Sequence, residues 1–215
     1  METSSASTRT RLLEAALFLF WQNGYAATGM AEILARADVW AGSFYYFFKT
    51  KEALLLAVLE YYIQTLDLYV MGPVFSAVTD PIERVFGVLG FYRQNLIKTG
   101  CTYGCPIGRL ALEIPEEQTQ VHRLLADNFD GWTAAIEGCL REVRASLPPD
   151  LDLKTLSQFV LTVMEGGVMQ ARSHRSLAPF DASVEHLHKY FDLLVAQQGQ
   201  AAAKESTTEA ERTTE

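Results

Sequence analysis

The sequence predicts an all-α fold, with a small N-terminal helix-turn-helix unit of three helices followed by a larger helical domain. Three observations carry this expectation. Apolar residues recur at spacings of three and four along successive segments, cap and stop residues punctuate those segments, and no stretch shows the period-two alternation of a solvated strand. The 215 residues are 49% hydrophobic and 20% charged, which suits one large domain or two small ones. No apolar run comes close to the ~20 residues that span a bilayer. The first eleven residues hold no apolar stretch ahead of their arginines, so neither a membrane segment nor a secretory signal is expected and the chain is assigned to the cytoplasm. Cys101, Cys105 and Cys139 are an odd number of cysteines and are read as thiols rather than as a disulfide scaffold.

From Thr8 to Gln22, Leu12, Ala15, Ala16, Leu19 and Phe20 form one apolar face, and Asn23-Gly24 supplies the stop. Thr28 is placed as the cap of a short second helix built on Met30, Ile33, Leu34 and Ala37, with Asp38 in the left-handed position past its end. The stretch from Ala41 to Phe48 has room for two turns. Thr50 is expected to cap a helix from Lys51 toward Met71 that Gly72-Pro73 stops, and Asp80-Pro81 opens another that Thr99-Gly100 ends. Gly100 to Gly108 reads as irregular. Pro115 is expected to open a long helix that continues to about Leu147, before Pro148-Pro149, and two helices follow at about 153–174 and 181–197. Residues 1–7 and 198–215 read as disordered tails, because the second is rich in Ala, Glu, Thr, Gln and Lys and holds no aromatic residue.

Two short helices joined by a tight turn, the second rich in aromatics, can present that second helix to a major groove ~12 Å wide. The letters themselves go further: Asn23-Gly24-Tyr25, Thr28, Ala37-Asp38-Val39, then Gly42-Ser43-Phe44-Tyr45-Tyr46-Phe47-Phe48-Lys49-Thr50-Lys51-Glu52. Over residues 8–56 this resembles the DNA-binding domain of the tetracycline-repressor family of bacterial transcriptional regulators. The resemblance implies a DNA-binding domain at 8–52 and a ligand-binding and dimerisation domain at 53–197. It also implies a repressor that binds a palindromic operator in double-stranded DNA as a homodimer and is released by a ligand.

The residues on the second and third helices suit that role chemically. Gly42 removes a side chain where the third helix approaches phosphates and base edges. Tyr45 and Tyr46 can reach phosphate or a thymine methyl, and Trp40, beside Ala41, offers apolar contact to base or sugar. Lys51 supplies a phosphate-seeking charge, and Thr28 with its helix N-terminus an anion site. Phe44 and Phe48 read as packing. The net charge of −8 excludes a broad nucleic-acid-coating surface. Residues 1–52 hold five basic and five acidic side chains, so DNA contact should rest on few phosphates.

In the second domain the resemblance implies a ligand sensor without naming its ligand, and the aromatic and sulfur residues on the inner helices suit a small apolar or aromatic inducer. Phe91, Tyr92, Tyr103, Cys105, Phe129, Trp132 and Met164 are the expected lining. Phe159, Val163, Gly166 and Gly167 with Leu187, Phe191 and Leu194 are the expected homodimer contacts, the glycine pair permitting a close symmetric helix approach. Gly104 to Glu113 looks like a segment of one branch of the family, some of whose members sense electrophiles or oxidants at a cysteine. Cys105, at a helix start with Arg109 one turn on, is expected to have a depressed pKa, and Cys139 to be packing. No nucleophile elbow, P-loop or dinucleotide fingerprint occurs, and His186 and His188 lie two apart on different faces of a helix. No enzyme, metal or cofactor is therefore expected. The alternative reading is a helical small-molecule-binding or enzymatic module that carries a vestigial helix-turn-helix.

Overall fold

The computed structural model describes residues 7–212 and, for residues 202 and 204–212, the backbone alone. Ser7 accepts from the amide of Thr10 and opens α1 (Thr8–Asn23), which Gly24 closes at φ +91°. Residues 1–6 of the predicted N-terminal tail lie outside the described residues. Next come α2 (Met30–Ala37), ended by Asp38 in the left-handed conformation (φ 52°, ψ 54°), and α3 (Ala41–Phe47). Thr50 accepts from the amide of Ala53 and caps α4 (Lys51–Leu66). The cap of α2 is Gly29 rather than Thr28, because the Thr28 hydroxyl is spent elsewhere.

Gly72-Pro73 does not stop the fourth helix. A π-helical turn at Asp67–Met71 carries the chain straight into α5 (Gly72–Ala77), with the Gly72 amide donating to the Asp67 carbonyl. A Cβ on Gly72 would stand 2.8 Å from that oxygen, so glycine is what lets the widened turn close. Pro73 then sits in a first turn, where its missing N–H costs little. The resulting helical run, Lys51–Ala77, is long and apolar enough, by length and composition only, to cross a membrane, a test that the core helix of a folded domain also passes. Here it is the central helix: Leu54, Leu55, Val58 and Leu59 are buried, and α4 packs against α1 and α8 (Thr119–Glu142).

Asp80 caps α6 (Pro81–Lys98) through the amides of Ile82 and Glu83. The segment expected to be irregular becomes helical at Pro106, in α7 (Pro106–Ala111). Helix α8 starts at Thr119 rather than Pro115 and yields to a 3₁₀ turn at Arg144–Ser146. It is followed by α9 (Leu153–His174) and α10 (Ala178–Arg212). Helix α10 runs past Gln198, where a disordered tail was expected. Ala, Gln, Glu and Lys are strong helix formers, and a folded helix ahead of them removes the nucleation cost. No strand occurs among the described residues. Helix α9 lies between α8 and α10. Gly167 admits the Phe180 ring so closely that a Cβ would be 3.0 Å from it, and Arg93 on α6 makes a bidentate pair with Asp181 on α10.

Candidate nucleic-acid interface and regulatory cavities

Helix α3 is anchored from beneath and bare above. Phe44 and Phe48 are buried and lie 5.8 Å apart, which fixes the helix on the core. On the outer side Trp40 is 87% exposed and Tyr46 79%. Tyr45 is exposed too, its ring edge-on to Phe44, and the Tyr46 ring is braced by Phe47 at 4.9 Å. A Cβ on Gly42 would meet nothing within 4 Å, so the fold does not require that glycine, and Ala41 beside it is exposed. Lys49 donates to the Tyr45 carbonyl and carries a charge at the end of the helix.

Two residues expected here point elsewhere. Thr28 is 1% exposed, and its hydroxyl donates to the carbonyls of Gly24 and Leu19, closing the loop after α1. The amide of Gly29, at the start of α2, is taken by the Glu32 carboxylate at 2.8 Å. Lys51 donates from Nζ to the Tyr25 carbonyl and rests 4.3 Å over the Tyr25 ring. Partial burial lowers its pKa. Both side chains brace the turn that orients α2 and α3, and neither is turned outward to a phosphate.

The same turn is gripped from the second domain. Arg109 on α7 donates from Nη1 and Nη2 to the carbonyls of Gln22 and Asn23, which α1 leaves unpaired at its end, and from Nε to Glu113 at 3.0 Å. The second Glu113 oxygen accepts from the Tyr25 amide at 2.7 Å. Trp21 adds a bond from its indole N–H to the Gly104 carbonyl. Gly24 is where this grip closes, since a Cβ there would stand 2.1 Å from Glu113 Oε1. Nothing in the letters of the chain signals a contact across about ninety residues, so sequence reasoning missed Glu113 and gave Arg109 to the wrong partner.

A cavity of about 300 Å³ lies where α1, α4 and α6 meet. Phe91 and Tyr92 line it as expected, and α1 and the α4 run add Phe18, Trp21, Tyr61, Tyr62 and Tyr69, with Glu14 at the rim. Tyr103 packs edge-on against Trp21. Cys105 and Phe129 belong to a different hollow of about 570 Å³ beside α9, and Trp132 and Met164 are core residues, 1% exposed, Trp132 lying 5.3 Å from the Tyr92 ring. The expected lining thus divides among two cavities, the core and, for Tyr103, a contact with the Trp21 ring outside both cavities.

Cys105 contradicts the depressed pKa expected for it. It is 3% exposed, and burial with the Glu165 carboxylate beside it pushes the thiol well above its ordinary value. The Gly108 amide and the Tyr92 hydroxyl donate to Sγ at 3.5 Å each, which offsets this only in part, and Arg109 is committed to α1. Burial raises the Glu165 carboxyl as well, and its Oε1 has no hydrogen-bond partner.

The expected dimer residues separate by face. Leu187, Phe191 and Leu194 are buried within the subunit, and Gly167 serves the Phe180 contact rather than a symmetric one. Phe159, Val163 and Gly166 line an open groove of about 990 Å³ between α9 and α10, whose floor Gly167 and Leu187 also reach, with Tyr190 among its other lining residues. Phe159 is 47% exposed, and its ring meets Tyr190 at 6.0 Å.

Comparison with known proteins bears on both domains. Residues 12–58 match the family described as bacterial regulatory proteins, tetR family. Residues 81–186 match the C-terminal domain of LmrA/YxaF-like transcriptional regulators. The HTH-type transcriptional repressor DhaR of Mycobacterium sp. (strain GP1) is 28% identical over 179 residues, covering 80% of this chain and 86% of its own. The HTH-type transcriptional regulator LmrA of Bacillus subtilis is 27% identical over 184 residues, covering 82% and 92%. Among solved structures, reduced NemR of E. coli aligns with a TM-score of 0.71 at 25% identity, covering 84% of this chain and 95% of its own. The regulator CifR, solved with double-strand operator DNA, shares the fold at a TM-score of 0.66 and 21% identity, covering 87% and 98%.

Proposed function

The chain belongs to the tetR family of bacterial regulatory proteins and is a DNA-binding transcription regulator; from that premise we propose that it acts in the cytoplasm as a homodimeric repressor, released from a palindromic operator by a small apolar or aromatic molecule. The observation that carries this reading is α3, a two-turn helix clamped by Phe44 and Phe48 with its outer face left to Trp40, Gly42, Tyr45 and Tyr46. So exposed a set of large aromatics on a short rigid helix suits a groove of double-stranded DNA, where the rings reach sugar, phosphate and thymine methyl.

Two further features support release and pairing. The cavity borders α1, and α7 holds the end of α1 through Arg109 and Glu113, so a molecule that displaces α1 or α4 also moves the turn that aims α3. Differential binding of such a molecule to the two domain arrangements is what couples it to DNA. The open groove between α9 and α10 presents Phe159, Val163 and Tyr190 for a second copy related by a two-fold axis, which sets the spacing of the two α3 helices.

The test is binding of the full-length protein to its own upstream region against a scrambled duplex, with Trp40→Ala and Tyr46→Ala beside wild type. Each substitution should weaken specific binding by about 5- to 100-fold, the range for lost groove contacts. Being at the surface, each should move the melting temperature by no more than about 2 °C. Equal affinity for both duplexes, or unaltered binding by both variants, would leave a helical small-molecule module as the better reading.

A further inference from the structure

The outer face of α3 lacks the side chains by which a helix usually tells base pairs apart. Bidentate recognition in the major groove takes Arg or Lys for guanine, Asn or Gln for adenine and a carboxylate for cytosine. From Trp40 to Phe48 the chain holds none of these. The cations nearby are engaged within the protein: Lys51 donates to the Tyr25 carbonyl, Arg11 to that of Asp38, and Arg36 lies 3.5 Å over the Phe18 ring. Arg9 and Lys49 stand at the end of the helix, over the Phe48 ring and against the Tyr45 carbonyl. What α3 presents outward is ring surface, Trp40 and Tyr46 being its most exposed side chains. Phe47 holds the Tyr46 ring edge-on, and Gly42, one turn back on the same face, leaves open space beside it. Ser43, Tyr45 and Tyr46 add hydroxyls, but a hydroxyl both donates and accepts and so serves any base.

Resting on the reading that α3 enters a groove of double-stranded DNA, we infer that this chain recognises its operator by thymine C5-methyl groups packed against Trp40 and Tyr46, and so selects half-sites rich in A·T pairs. Among the four bases only thymine carries an apolar mark on its major-groove edge. An indole or phenol ring laid against that methyl removes apolar area from water on both sides and needs no polar partner. A G·C pair in the same place offers the rings polar edges only, whose water they would strip without replacing it. The hydroxyls position the helix, and the methyls decide between sequences.

The test uses the full-length protein and the stretch of its upstream region that it protects from nuclease, rebuilt with single base analogues. Deoxyuridine in place of thymine removes the C5 methyl and keeps every hydrogen-bonding atom. In place of the purines, 7-deazaguanine and 7-deazaadenine remove N7, which bidentate recognition needs, and keep the methyls. Loss of one contacted methyl should cost about fourfold and loss of its symmetric pair about 15-fold, whereas the 7-deaza duplexes should bind within about twofold of the parent. Trp40→Ala and Tyr46→Ala should each bind the thymine and deoxyuridine duplexes alike at the position that side chain covers, a coupling that a merely weakened protein would not show. Deoxyuridine tolerated at every thymine, a larger cost from the 7-deazapurines than from deoxyuridine, or a methyl effect that persists in both variants each overturns the inference and leaves specific DNA binding standing. A protein that does not distinguish its upstream region from a scrambled duplex overturns the reading beneath it, and the inference with it.

Discussion

Glu165 shows how much one side chain can cost the fold. Its carboxyl is mostly buried, Oε1 lacks a partner, and burial raises its pKa in the folded protein above the unfolded value of about 4.3. A raised acid pKa means that the folded state holds the proton more tightly. The stabilisation is therefore complete below the unfolded pKa and is lost as pH rises through the folded one. Glu165→Gln should flatten that slope: thermal melts should place the variant above wild type at pH 8, with the gap closing toward pH 4.5. Parallel melting profiles for the two proteins would show that Glu165 does not carry the dependence. Cys105, beside it, should alkylate at pH 7 far more slowly in the folded protein than after denaturation, since a buried neutral thiol is a poor nucleophile. Helix-start chemistry predicted the opposite from the sequence. The dipole of a six-residue helix was visible there, whereas the carboxylate sixty residues away that outweighs it was not.

The starts at Thr50 and Asp80-Pro81 and the left-handed Asp38 were readable because caps are local, whereas the starts expected at Thr28 and Pro115 fall at Gly29 and Thr119. Helix stops were less so. Gly72-Pro73 reads as a break, yet a π-helical turn absorbs it, and that depends on the Asp67 carbonyl finding the Gly72 amide. The grip of α7 on the end of α1 was invisible for the same reason, being made by carbonyls and an amide of the backbone, which every sequence has. Gly24 tests it. Gly24→Ala introduces a side chain at φ +91° and pushes Cβ into Glu113, and should destabilise the protein by about 1–3 kcal/mol in denaturant melts. Adding Glu113→Ala should recover part of that loss although it is destabilising alone, because the clash goes and only the backbone strain remains. Strictly additive costs would mean that the two residues do not meet.

The molecule carries all of its net −8 beyond residue 52, and its few basic residues near the DNA-binding surface are further reduced by internal work. Lys51 is held by Tyr25, Arg11 donates to the Asp38 carbonyl, and Arg36 lies on Phe18. Arg9, 5.7 Å over the Phe48 ring, and Lys49, which donates to the Tyr45 carbonyl, are the exposed cations beside α3. With two phosphates neutralised per subunit, a dimer should lose affinity with a slope of about −4 in log K against log salt. Phe159→Arg, in the open groove between α9 and α10, should yield monomers by sedimentation and roughly halve that slope. A steeper slope than about −6 would demand phosphate contacts beyond those two residues. The N-terminal helix-turn-helix and the helical remainder of the chain were legible in its letters. Which apolar residues face inward and which outward on α10 was not, because Leu187, Phe191 and Leu194 show the same periodicity whichever partner they meet.

The Arg109–Glu113 grip also limits how freely this protein can exchange parts with its relatives. A reading head transplanted from another regulator must end its first helix with a residue that lacks a side chain, as Gly24 does, or Glu113 has no room beside it. It must also offer a free amide one position later, as Tyr25 does, and two open carbonyls just before. A graft that satisfies these backbone conditions can carry any lettering on its third helix and still be held by α7 as this chain's own first helix is. One that fails them joins two sound modules into a chimera whose halves no longer hold each other at this turn.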